Sequence, residues 1–146
     1  MSEAIDRTAE ATTTRSVYAT LKLVFGIVPI VAGLDKFTNL LVDWSKYIAP
    51  AFANIIPFSP HTFMILVGLI EIVAGIGVLF TPWTRLFAWI VGAWLICIAL
   101  DLIVAGYYDI AVRDVAMAVS SFCLARLSAS VPIAMRRPLR HAESTP

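Results

Sequence analysis

Five ionisable side chains, Lys36, Glu71, Asp101, Arg113 and Asp114, lie within or beside long apolar stretches. Glu71 is the extreme case, the one charge in a run from Thr62 to Thr81. Carboxylates in apolar surroundings serve proton transfer or pair with cations, and an intramembrane ionisable group is a functional-site hypothesis by default. Glu71 and Asp101 are therefore candidate proton relays. Lys36 and Arg113 are candidates for holding a carboxylate or a carbonyl oxygen, and Asp114 completes the polar head of such a site. Asp35, Trp44 and Tyr47 are secondary candidates, the two aromatic residues as a cover. No catalytic residue is assigned. The competing reading is structural: polar groups between membrane helices contribute about 0.6 kcal/mol each, and ion pairs can fix helix register without binding anything.

Other chemistries lack their residues. His61 and His141 stand at a span edge and in the tail, which does not suit the paired axial ligation of a membrane haem. No His, Cys and carboxylate spacing suggests zinc or another metal site. There is no C-x-x-C, and Cys97 and Cys123 fall at depths about 10 Å apart, beyond disulfide reach, so both are expected to be small packing residues. No glycine-rich phosphate loop or nucleophile motif occurs. The net charge of +1 suggests no nucleic-acid partner.

These residues are carried by a chain that is 60% hydrophobic, with a mean hydropathy of +0.85. Soluble domains are about 45–50% apolar, so the excess points to a membrane protein in contact with the lipid bilayer. A crossing helix needs about 20 mostly apolar residues. Segments 17–36, 61–80, 84–105 and 110–128 qualify. Ser59 and Pro60 start the second. Gly106 ends the third, and Asp109 can cap the fourth. Short breaks at "TPWTR" and "AGYYDI" make neighbours antiparallel. The expected fold is all-α, an integral membrane antiparallel four-helix bundle over residues 17–128. Residues 1–16 are expected to be a polar, disordered cytoplasmic N-terminus, and 129–146 a basic cytoplasmic tail. Loop 37–60 would face outward. Within it Leu40, Leu41, Trp44 and Ile48 suit a short interfacial helix before Pro50, either a lid or a connector resting on the membrane. Eight Lys and Arg residues fall on the side of the termini and three on the other, so both termini should be cytoplasmic. Pro29 should kink the first helix.

At about 1.5 Å rise per residue, Glu71 lies near the midplane. The other charges lie outward of it: Asp35 and Lys36 by about 13–14 Å, Asp101 by about 10 Å, Arg113 and Asp114 by about 7–9 Å. Four small-residue stripes carry them. These are Gly26, Gly33 and Lys36; Gly68, Glu71 and Gly75; Ala93, Cys97 and Asp101; and Ala111, Asp114, Ala118, Ser121 and Ala125. Such stripes mark packing faces, so the charges should point inward. Glu71 is expected to be protonated or paired with Lys36 or Arg113, and Asp101 to find a cationic partner across the bundle. Trp83, Trp89 and Trp94, with Tyr107 and Tyr108, fit lipid contact and an interfacial belt better than a pocket.

"GLDKF" (33–37), "VGLIEIVAGIGVLF" (67–80) and the "TPWTR" break resemble the DoxX-like family of small bacterial membrane proteins, over about Val17 to Ala129. "GYYDIAVRD" (106–114) looks like a sub-group signature. The methylamine-utilisation membrane proteins are a second possible relative. The resemblance implies a four-helix protein of the bacterial plasma (inner) membrane. It also implies an association with membrane redox complex subunits, as some members accompany quinol oxidase or thiosulfate:quinone oxidoreductase assemblies. The expectation is an accessory subunit, not a self-sufficient enzyme, with no covalent cofactor and a quinone as candidate ligand in the outer half of the bundle. A small proton-coupled transporter and a purely structural or assembly protein are the alternatives.

Overall fold

The computed structural model describes residues 2–57 and 59–131. Its elements are α1 (Ser2–Thr38), a 3-10 turn (Trp44–Tyr47), α2 (Pro50–Ala53), α3 (Pro60–Phe80), α4 (Thr84–Ala105) and α5 (Tyr108–Ser130), with no strand among the described residues. The chain is all-helical. Ala9–Thr38 of α1, together with α3 and α4, is long and apolar enough to cross a membrane. α5 carries Asp109, Arg113, Asp114 and Arg126 and is less apolar.

Local signals explain the boundaries. The Ser59 hydroxyl accepts the Thr62 N–H at 3.1 Å, and Pro60 occupies the first turn of α3. Gly106 ends α4 in the left-handed region, φ 88°, with nothing in the space a side chain would occupy. Asp109 sits in the first turn of α5 without capping it; Tyr107 is the N-cap residue. The N-terminal segment expected to be disordered is helical from Ser2. It contains no Gly or Pro, and extending a formed helix avoids the cost of nucleation. At 37 residues, α1 is about 55 Å long and outruns a hydrocarbon core of about 30 Å. Pro29 lies inside it and removes the donor for the Phe25 carbonyl. The "MRRPLRH" tail lies outside the described residues.

Helices α1 and α3 pack closely, as do α4 and α5; α3 and α4 touch much less. The α1–α3 crossing is backbone against backbone. A Cβ on Gly33 would stand 2.5 Å from the Gly68 carbonyl oxygen, and one on Gly75 would stand 2.5 Å from that of Gly26. The α3 number rises as the α1 number falls, so the pair is antiparallel. In lipid, burying apolar surface gains little, so this close approach and polar pairing must hold the helices together.

Two apolar layers result. Tyr18, Phe25, Val78, Ala88, Leu124 and Ala125 fill the end nearer the termini. Ala99, Leu102 and Ala111, backed by Tyr47 and Tyr107, fill the end nearer the 38–60 loop. The α5 seam is buried as expected: Ala111, Asp114, Ala118, Ser121 and Ala125. Ser121 donates to the Ala88 carbonyl at 2.8 Å. The α4 seam is not. Ala93 and Cys97 are exposed, and the packing face runs through Ala88, Val91, Gly92, Ala99 and Leu102. Gly92 sets that phase, because the Phe122 ring of α5 lies over it. Cys123 is also exposed, so neither cysteine is a packing residue.

Candidate functional site

Gly68 has no side chain, so the Lys36 stem can lie along α3. A Cβ there would be 3.1 Å from the Lys36 Cβ. One turn further along α3, Glu71 receives the ammonium: Lys36 Nζ to Glu71 Oε2 is 2.6 Å. Both residues are buried, at 3% and 7% exposure. Of the two cationic partners expected for Glu71, Lys36 is the one it has.

The loop closes over this pair. Lys36 Nζ stands 3.7 Å from the centre of the Trp44 ring, a cation–π contact on its loop side. Trp44 is held by its indole N–H, which donates to Asp35 Oδ2 at 2.7 Å. Asp35 Oδ1 accepts the Leu40 and Leu41 N–H groups at 3.0 and 2.9 Å. That arrangement, with Asn39 at φ 49°, ends α1 and turns the chain. It also explains why no helix forms from Leu40. Their N–H groups are taken, both leucines stay exposed, and only the turn at Trp44–Tyr47, capped by Asp43, forms before Pro50. Tyr47 packs edge-on to Trp44 and to Tyr107. The segment is a cover anchored by Asp35.

Asp35→Ala would leave three donors without their acceptor. Limited proteolysis within 38–49 is expected to speed up about tenfold, corresponding to roughly 1.4 kcal/mol. Trp44→Phe, which loses a single N–H, should have a smaller effect. Equal rates in all three proteins would show that Asp35 does not hold the cover.

Among the described residues, Asp101 has no cationic partner. It accepts the Ala49 N–H at 3.1 Å and so ties the same loop to α4. The carboxylate is satisfied by a backbone donor that the spacing of residues could not disclose. Arg113 departs from expectation as well. It pairs with Asp114, Nε to Oδ1 3.1 Å, but its side chain is 63% exposed. The adjacent residues point in different directions, and Asp114 takes the buried one. Asp114 is buried like Lys36 and Glu71, and its ion pair is with Arg113. No group of metal-ligating side chains occurs among the described residues.

A cavity of about 80 Å³ lies on the other side of Glu71, toward the termini. Its walls come from α1 (Phe25, Val28, Pro29, Ala32), α3 (Ile70, Glu71, Ala74), α4 (Ile90, Val91, Trp94, Leu95) and Met117 of α5. Of the candidate residues, Glu71 alone lines it. The space thus lies below the ion pair, whereas clustering of charges had suggested a pocket above it, where the loop now closes. Trp94 is the residue that pattern reading missed. Its indole N–H is shielded from solvent and interacts with the Glu71 carboxylate beside it, but makes no hydrogen bond of good geometry among the described residues. Trp83 and Trp89 are exposed as expected. A Trp in mid-span, away from the interfaces that Trp favours, was the available signal.

The DoxX family model matches residues 18–104. The chain belongs to the DoxX family. The match takes in Lys36, Glu71, Trp94 and Asp101 and stops short of Arg113 and Asp114. This DoxX-family chain is a membrane protein by that match and by its three candidate spans. Comparison with curated proteins and with solved structures gives no match.

Proposed function

We propose that the chain is an accessory subunit of a bacterial membrane redox system, and that it holds a quinone or a similar amphipathic molecule against Glu71. The observation that carries this reading is the buried Lys36–Glu71 pair with a cavity beside it. A charge pair at mid-span is costly to keep, and a polar edge on an otherwise apolar cavity suits a molecule with a polar head and a hydrocarbon body.

In this reading α5 is a fourth crossing helix. Its small-residue seam packs along α4, which is itself apolar enough to cross. Four crossings put both termini on one side. The Lys and Arg asymmetry makes that side cytoplasmic and the protein multi-pass in the inner membrane.

The test is purification in mild detergent, followed by solvent extraction and identification of co-purifying proteins. Quinone near one equivalent, together with redox subunits, is the expected result. An extract free of quinone, with no saturable binding on titration, would remove the ligand. The assembly reading has its own support, since Asp35, Lys36, Glu71 and Asp101 all have partners within the chain. It predicts that Glu71→Gln changes stability or partner association and leaves ligand content unchanged.

A further inference from the structure

We infer that the cavity below Glu71 is entered sideways from the bilayer, and that it receives the leading carbonyl oxygen of an alkyl-bearing molecule on the Trp94 N–H. The choice of a quinone as that molecule rests on the function proposed above; the site itself does not.

The entrance follows from exposure. Val28, Ile70 and Ile90 line the cavity and are also 42–47% exposed on the outer surface of spans that face lipid. The cavity therefore opens through the loose seam between the two helix pairs, away from the capped end of the bundle. A ligand dissolved in the membrane reaches it without displacing Trp44 or breaking the Lys36–Glu71 pair.

Chemistry follows from the walls. They are almost wholly hydrocarbon, with Trp94 and Glu71 as the polar side chains. Lys36 engages one oxygen of the Glu71 carboxylate. The Trp94 N–H beside that carboxylate makes no hydrogen bond of good geometry among the described residues, so it can still turn to an incoming acceptor. An indole can only donate, so the complementary group is an acceptor. Beyond the edge formed by Trp94 and Glu71 the wall offers water no partner, whereas it fits a hydrocarbon body. Size sets the depth of entry. A cavity of about 150 Å³ encloses a benzene ring, so 80 Å³ admits the carbonyl edge of a ring or a few carbons of a chain. The remainder of the molecule then lies between Val28, Ile70 and Ile90, with its tail in lipid.

The test is calorimetric titration of the full-length protein in detergent with two probes, a decyl-substituted benzoquinone and a long-chain methyl ketone. Four proteins are compared: the parent, Trp94→Phe, Ala32→Leu and Trp83→Phe, each first shown to keep its helix content. Saturable binding is expected, weakened roughly fivefold to tenfold by Trp94→Phe through loss of one hydrogen bond. Ala32→Leu should abolish it by filling the cavity, and Trp83→Phe, remote from the cavity, should leave it unchanged. Ketone binding with this pattern and no quinone binding would support the site and overturn the quinone. Binding that neither Trp94→Phe nor Ala32→Leu alters would overturn the site even if quinone binds elsewhere, and so would failure of both probes.

Discussion

Lys36→Met is expected to destabilise the bundle by about 3–5 kcal/mol, because it leaves the Glu71 carboxylate buried without its cation. The chemistry lost is a 2.6 Å contact between two groups that are almost wholly shielded. Denaturation followed by helix content in detergent is the measurement. Lys36→Met combined with Glu71→Leu should recover most of the loss, since removing both charges also removes their desolvation cost. Glu71→Gln alone should be milder than Lys36→Met. The ammonium would still have the face of Trp44 at 3.7 Å, whereas Glu71 has no second cation in contact among the described residues. If Lys36→Met were as well tolerated as the double variant, the pair would not be holding α1 to α3.

Gly68→Ala should be among the most damaging single-methyl additions at the described glycines. The new Cβ would stand 2.6 Å from the Gly33 carbonyl oxygen and 3.1 Å from the Lys36 Cβ. Backbone cannot rotate away, so α1 and α3 must separate, and the ion pair lengthens with them. Overpacking of this kind costs about 1–3 kcal/mol, and Gly68→Val should leave no folded protein. Gly33→Ala and Gly75→Ala should be as damaging, as each new Cβ meets a backbone oxygen at 2.5 Å. Gly26→Ala and Gly92→Ala should be milder, since their obstacles are the side chains of Leu79 and Phe122. Melting temperatures of the five variants would rank them. A flat ranking would mean that the α1–α3 crossing is less intimate than these distances say.

The sequence made the helices legible because length and hydropathy identify a crossing segment almost by themselves. The segments read as 61–80 and 84–105 correspond to α3 at Pro60–Phe80 and α4 at Thr84–Ala105. Small residues identified the packing faces of α1, α3 and α5 for a physical reason: only they allow backbones to approach in lipid. The same rule failed on α4, where Gly92, not Ala93 and Cys97, sets the phase. Of the candidate site, the Lys36–Glu71 pairing was within reach as one of two alternatives because the faces agreed. The depth reading, which set Lys36 about 13–14 Å outward of Glu71, did not favour it, and the Lys36 stem closes that gap by lying along α3 past Gly68. Partners supplied by backbone were not. The Leu40, Leu41 and Ala49 N–H groups answer Asp35 and Asp101, and main chain carries no residue-type signal. Trp94 was hidden by its company, for the neighbouring tryptophans Trp83 and Trp89 do face outward.

The tightest interfaces join α1 to α3 and α4 to α5, whereas α3 and α4, linked by Thr81, Pro82 and Trp83, touch much less. The protein is thus two helical hairpins in series. Each can close as soon as its second helix has been synthesised, the first around facing glycines and the second around its alanine and serine seam. The space below Glu71 is walled by both hairpins, so neither can form it alone. It lies where two tightly closed bodies meet loosely.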